Sequence, residues 1–218
     1  MKLNIFLFLA AASLSANAAT VDTTLGSYAG GNSNTWQTTM GVGDDTSFSS
    51  QVSTWGWEAL DLNSSGGTGW RHTSQWLELT LTEDAIVTIN ISNDPTETIA
   101  VGTQELFPSF TIYSGFNNEN ATQAHTYNNR ADTTLSGAAD PLIYLNHVAN
   151  STEDSINVSY SLAAGDYTFA IGGFAEEVEG VDSVNRTYFA SVTTTAVPEP
   201  SSLLLLGLSS LGLLRRRR

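Results

Sequence analysis

The stretch INVSYSLAAGDYTFAI, Ile156 to Ile171, decides the fold class. From Ile156 to Leu162 every second residue is apolar, with Asn157, Ser159 and Ser161 between, which is the period of a strand with one buried face and one wet face. Ala163-Ala164-Gly165-Asp166 supplies turn chemistry, and Tyr167, Phe169 and Ile171 then share one face of a second strand. The pattern predicts a hairpin.

The same period recurs along the chain. Leu77, Leu79 and Leu81 alternate within Trp76 to Leu81, and Thr82-Glu83-Asp84 reads as a tight turn into Ala85 to Ser92. Ser109 to Tyr113 and Thr187 to Thr195 are further strands. Leu142-Ile143-Tyr144-Leu145 adds a strand or cover within Ser114 to Asp154, which is too long for a bare loop. Short strands, Gly/Asn/Asp/Ser turns and abundant threonine predict an all-β body, a single antiparallel β-sandwich of jelly-roll-like form.

The two ends differ from the body. Lys2, the apolar Ile5 to Leu9 and the small-residue site Ala16-Asn17-Ala18 have the order of a secretory signal peptide over residues 1–18. At the other end, Val197-Pro198-Glu199-Pro200 precedes an apolar helix expected over 201–214 and a basic tail, Arg215, Arg216, Arg217 and Arg218. Leu203 to Leu214 covers about 18 Å at 1.5 Å per residue, a short span for a hydrocarbon core near 30 Å. The arginines fix its direction, because a basic cluster stays on the cytoplasmic side. The division predicted is therefore 1–18 signal peptide, 19–195 sandwich domain and 196–218 C-terminal signal with a short transmembrane helix.

These three ordered C-terminal elements resemble the PEP-CTERM sorting signal of Gram-negative bacteria. The resemblance implies a chain exported through the inner membrane and held there transiently by residues 201–214. It also implies recognition of Pro198, Glu199 and Pro200 by an exosortase-type membrane protease. The cargo would then reach the cell surface or the extracellular matrix and biofilm, in contact with exopolysaccharide.

Charge agrees with an exterior life. The whole chain carries a formal −14, from 22 acidic and 8 basic residues, and has no cysteine. Without both ends only Arg71, Arg130 and Arg186 oppose the acids, about −18 formal by side-chain counting. Such a body repels nucleic acid. Lacking disulfides, it must be held by its core. No nucleophile elbow, H-E-x-x-H or P-loop is present, so no enzyme activity and no required cofactor are expected.

Three sets of residues are candidate binding sites. All five tryptophans fall between Trp36 and Trp76. Trp55 and Trp57 would project together from a strand and could stack on sugars as a lectin-like site, although tryptophan is also the largest available core filler. Asp44, Asp45, Glu176, Glu177, Glu179 and Asp182 are candidate calcium carboxylates, or else a solvated acidic rim. Third, His72 beside Trp76, the P-S-F-T-I-Y strand and His125 resemble surface copper-binding proteins of methane-oxidising bacteria. On that resemblance His72, Trp76 and His125 would be a copper ligand set, for which imidazole is suited.

Overall fold

The computed structural model describes residues 21–25, 35–58, 69–70, 74–115, 142–175 and 182–198. The predicted signal peptide of residues 1–18 and the predicted helix of residues 201–214 lie outside them. Twelve strands form in chain order: β1 (Val21–Leu25), β2 (Thr35–Met40), β3 (Asp45–Ser53), β4 (Trp57–Glu58), β5 (Gly69–Trp70) and β6 (Gln75–Leu81). Then follow β7 (Ala85–Asn93), β8 (Pro108–Ser114), β9 (Ile143–Val148), β10 (Ser155–Leu162), β11 (Gly165–Ala175) and β12 (Asn185–Ala196). No helix occurs among the described residues.

The strands make two sheets. One has four strands in the order β10-β7-β12-β3, all antiparallel. The other has eight strands and is built around β11, which pairs with β6 on one edge and β8 on the other; β1 and β2 continue beyond β6, and β9 beyond β8. Past β6, the short β4 pairs with the end of β11 and carries β5. Two pairs, β2 with β6 and β4 with β11, are parallel, so the larger sheet is mixed rather than antiparallel throughout.

Alternation puts the inward residues of both sheets into one core. Leu77, Leu79 and Leu81 of β6 and Phe169 and Ile171 of β11 meet Val87, Ile89 and Ile91 of β7 and Tyr188 and Val192 of β12. Each such side chain gains about 1.5–3 kcal/mol from full burial, and their shared cluster makes the arrangement sandwich-like.

The predicted hairpin does not form. β10 pairs with β7 in the smaller sheet, whereas β11 pairs with β6 and β8 in the larger. The expected turn after β6 likewise leads from the larger sheet to the smaller. Both links are corners between sheets, and a strand's period of two reports which face is buried but not which strand lies alongside. A third corner, residues 41–44, joins β2 to β3.

The three corners lie together and are tied by side chains. Asp84 Oδ1 accepts from Ala164 N at 2.9 Å, Glu83 Oε1 from Val42 N at 3.0 Å, and Asp44 Oδ2 from Gly41 N at 2.7 Å. Thr194 of β12 is buried among them: its hydroxyl donates to the Gly41 carbonyl and accepts from Asp44 N at 3.0 Å, while Gly43 N donates to its carbonyl at 3.1 Å.

At the far end a turn over Ser53–Gly56 lies directly on β11. A Cβ on Gly172 would stand 2.4 Å from the Gly56 carbonyl carbon, and one on Gly173 would stand 2.6 Å from Thr54 Cα. Only glycine permits such backbone-on-backbone contact.

Two expected outcomes follow from this packing. Gly172→Ala must displace backbone rather than a flexible side chain, so it should lower the stability by about 1–3 kcal/mol, read as an earlier urea midpoint. Burial also pushes the Tyr160 phenol up to about 12 and raises those of Tyr113, Tyr167 and Tyr188 above the ordinary 10.0. These phenols ionise more readily unfolded, so their contribution is intact below pH 10 and declines as pH rises beyond it. Tyrosinate absorbance should therefore emerge together with loss of near-UV circular dichroism; full ionisation with the fold intact would contradict the burial.

Candidate functional site

The tryptophan-rich segment does not form an exposed stacking row. The core-facing period of the larger sheet leaves Trp76, Thr111, Tyr113, Thr168 and Ala170 on its outer face, and all five are nevertheless buried. Trp57 and Trp70 join them in a second aromatic cluster. Trp57 Nε1 donates to Thr111 Oγ1 at 3.0 Å, and Trp70 Nε1 to Tyr113 Oη at 2.9 Å, so both indole donors are satisfied as buried indoles require. Trp57 lies between the rings of His147 and Phe174, with centroids 5.7 and 6.2 Å away. Trp57 is only 1 % exposed, which removes it as a sugar platform. Trp55, half-buried, instead donates Nε1 to Gln104 Oε1 at 2.6 Å.

Of the copper set, Trp76 sits inside this cluster, its ring edge-on to Trp70 at 4.7 Å. His72 and His125 lie outside the described residues. The histidine that is described, His147, accepts from or donates to Tyr144 Oη through Nδ1 at 2.8 Å.

The calcium set is divided by the fold. Asp44 and Asp45 stand at the start of β3, while Asp182 bonds to Gly102 beyond the other end of that strand. Eight residue steps of antiparallel strand separate those ends by roughly 27 Å, so these carboxylates cannot share one ion. Glu176, Glu177 and Glu179 lie outside the described residues. Among the described residues no three His, Cys, Asp or Glu side chains are grouped to hold a metal.

A small polar cavity of about 140 Å³ opens near Asp94, Glu97, Glu105, Asp154 and Arg186. Arg186 is held in its wall: Nη2 donates to Thr103 Oγ1 at 2.8 Å, Nε to the Gln104 carbonyl at 3.3 Å, and Nη1 lies 3.6 Å from Glu97 Oε2. Asp94 caps its own turn, and hydrogen bonds from the Thr96 hydroxyl and amide lower its pKa. Glu97 also accepts from Thr187 N at 3.0 Å, so Arg186, Glu97 and Asp94 are engaged within the fold.

Two features were not foreseen from sequence. Gln104 bridges Trp55 to the Phe174 carbonyl, which it reaches at 2.9 Å. Phe189 stands 45 % exposed on the solvent side of β12. The signal for the latter is Tyr188-Phe189: two adjacent aromatics on a strand face opposite ways, so one must point outward.

The remaining site is the exit of the C-terminus. β12 is paired with β7 to its last residue, Ala196 opposite Ala85, and Thr194 is clamped by the 41–44 corner. Val197 and Pro198 then leave the sheet exposed. Glu199, Pro200 and the arginines Arg215 to Arg218 lie outside the described residues.

No curated protein sequence matches this chain. Among solved structures, it is similar to CorA of Methylomicrobium album BG8, described as a surface-associated copper-binding protein, at 15 % identity and TM-score 0.48, covering 72 % of this chain and 98 % of that one. It is also similar to the secreted copper-binding protein MopE of Methylococcus capsulatus, at 10 % identity and TM-score 0.44, covering 82 % and 94 %. A pre-peptidase C-terminal domain of a Bacillus anthracis collagenase aligns at 8 % identity and TM-score 0.33, covering 72 % and 94 %. Residues 196–218 match the PEP-CTERM protein-sorting motif, so the chain carries that signal from the last residue of its final strand onward.

Proposed function

We propose that this chain is an exported, non-enzymatic binding or structural protein, delivered to the cell surface or extracellular matrix of a Gram-negative bacterium. The observation that carries the reading is the sorting motif at residues 196–218, placed where β12 ends. Pro198 cannot extend a ladder or a helix, which supports a sheet that ends ahead of Glu199 and Pro200. An exosortase-type membrane protease recognises Pro198, Glu199 and Pro200 while residues 201–214 sit in the inner membrane and the four arginines keep their end on the cytoplasmic side.

Several properties of the body suit this role. An acidic, cysteine-free chain stays soluble outside the cell and needs no oxidant to fold. Successive strands change sheet through short corners, which supports reading the body as a jelly-roll-like sandwich rather than a stack of hairpins. Nothing in the role asks for a cofactor or for catalysis.

The test is the fate of the C-terminus. In the producing cell the wild-type chain should appear outside without its terminal arginines. Replacing Pro198, Glu199 and Pro200 together by alanine should leave a full-length chain in the membrane fraction. The same distribution and length for both chains, measured by fractionation and intact mass, would overturn the proposal.

A further inference from the structure

The smaller sheet has one face in the core and the other in water, and its wet face has an unusual composition. Register aligns its outward residues in rows across all four strands. Asn157, Asn90, Ser191 and Ser47 form one row. Ser159, Thr88 and Thr193 form the next, where the Thr88 and Ser159 hydroxyls are 2.7 Å apart. Ser155, Ser92 and Ser49 form a third, with Phe189 between the last two. In a chain of 22 carboxylates, the one charged residue among the described residues of these strands that faces outward here is Asp45, at the corner where β3 begins.

We propose that this face binds an uncharged, hydroxyl-rich polysaccharide. The inference rests on the reading of the body as an exported binding module, and names its ligand class and site. Hydroxyl and amide side chains both donate and accept, as sugar hydroxyls do, so each can satisfy a sugar group in either sense. The rows repeat at about 4.8 Å between strands and about 6.8 Å along them, which suits an extended polymer rather than a pocketed small molecule. Phe189 gives the apolar face of a pyranose ring a surface to cover, flanked by Ser92 and Ser49 in its own row.

Charge selects among polymers. With no lysine or arginine on the face, an anionic polysaccharide finds no partner and is repelled by the body's net charge. With carboxylates excluded from all but one corner, a polycation gains nothing there either. The neutral polymer is the class that the chemistry fits.

The experiment is affinity electrophoresis of the full chain through native gels containing hydroxyethyl cellulose, dextran or galactomannan, with alginate as the anionic comparison. Retardation is expected in at least one neutral gel and not in alginate. Phe189→Ala and Ser49→Glu should each weaken it about tenfold. Leu145→Ser, on an exposed position of the other sheet, should leave it unchanged. Both test positions are exposed, and unchanged near-UV circular dichroism separates lost binding from lost fold. Migration unaffected by every neutral polymer, or retardation equal in wild type and both variants, would overturn the proposal. Either result leaves the fate of the C-terminus untouched, so the failure of this inference and that of the export reading are told apart.

Discussion

Asp44, Glu83, Asp84 and Thr194 devote their side chains to the backbone of three short links at one end of the molecule. Each link carries the chain from one sheet to the other, a step in which backbone groups lose their ladder partners and would otherwise be left without them. Carboxylates accept from Gly41, Val42 and Ala164, and the Thr194 hydroxyl both donates and accepts. These short corners, tied by side chains, hold the two sheets face to face. At the opposite end the constraint is steric instead: Gly172 and Gly173 let the Ser53–Gly56 turn rest on β11 with no side chain between.

Those corners also mark where sequence stops being sufficient. The strand segments around Leu77, Ile89, Ile112, Val158, Phe169 and Val192 are readable because half-buried strands alternate, and alternation is a local property. Pairing is not local. A short polar link after an alternating segment is compatible with a return alongside the same strand or with a crossing to the facing sheet. Here it is the second, after β6 and again after β10. Strand β3 escapes notice for a different reason: T-S-F-S-S-Q-V carries so many small polar residues that its inward Phe48 and Val52 hardly stand out.

The candidate sites divide in the same way. The sorting motif is legible because order along the chain is all that a linear motif needs. The aromatic residues are not, since the same indole fills a core or lines a surface according to its side of a strand. Trp57 is buried against the outer face of the larger sheet, where its Nε1 finds Thr111, and Phe189 is exposed on the outer face of the smaller. The carboxylates fail as a set because Asp45 and Asp182, whatever their individual chemistry, lie at opposite ends of β3.

The geometry of the exit links the linear signal to the folded body. From Val197 to Pro200 the chain spans at most about 14 Å, even fully extended. If residues 201–214 are anchored as proposed, that short reach keeps the body near the bilayer, and the end nearest the tail is the one that carries the corners. That end presents Asp44, Asp45, Glu83 and Asp84, and the one arginine among the described residues, Arg186, is at the other. The carboxylates that bond the corners thus stand beside the exit of the tail, so the end of the body that leads into the sorting motif is its acidic end.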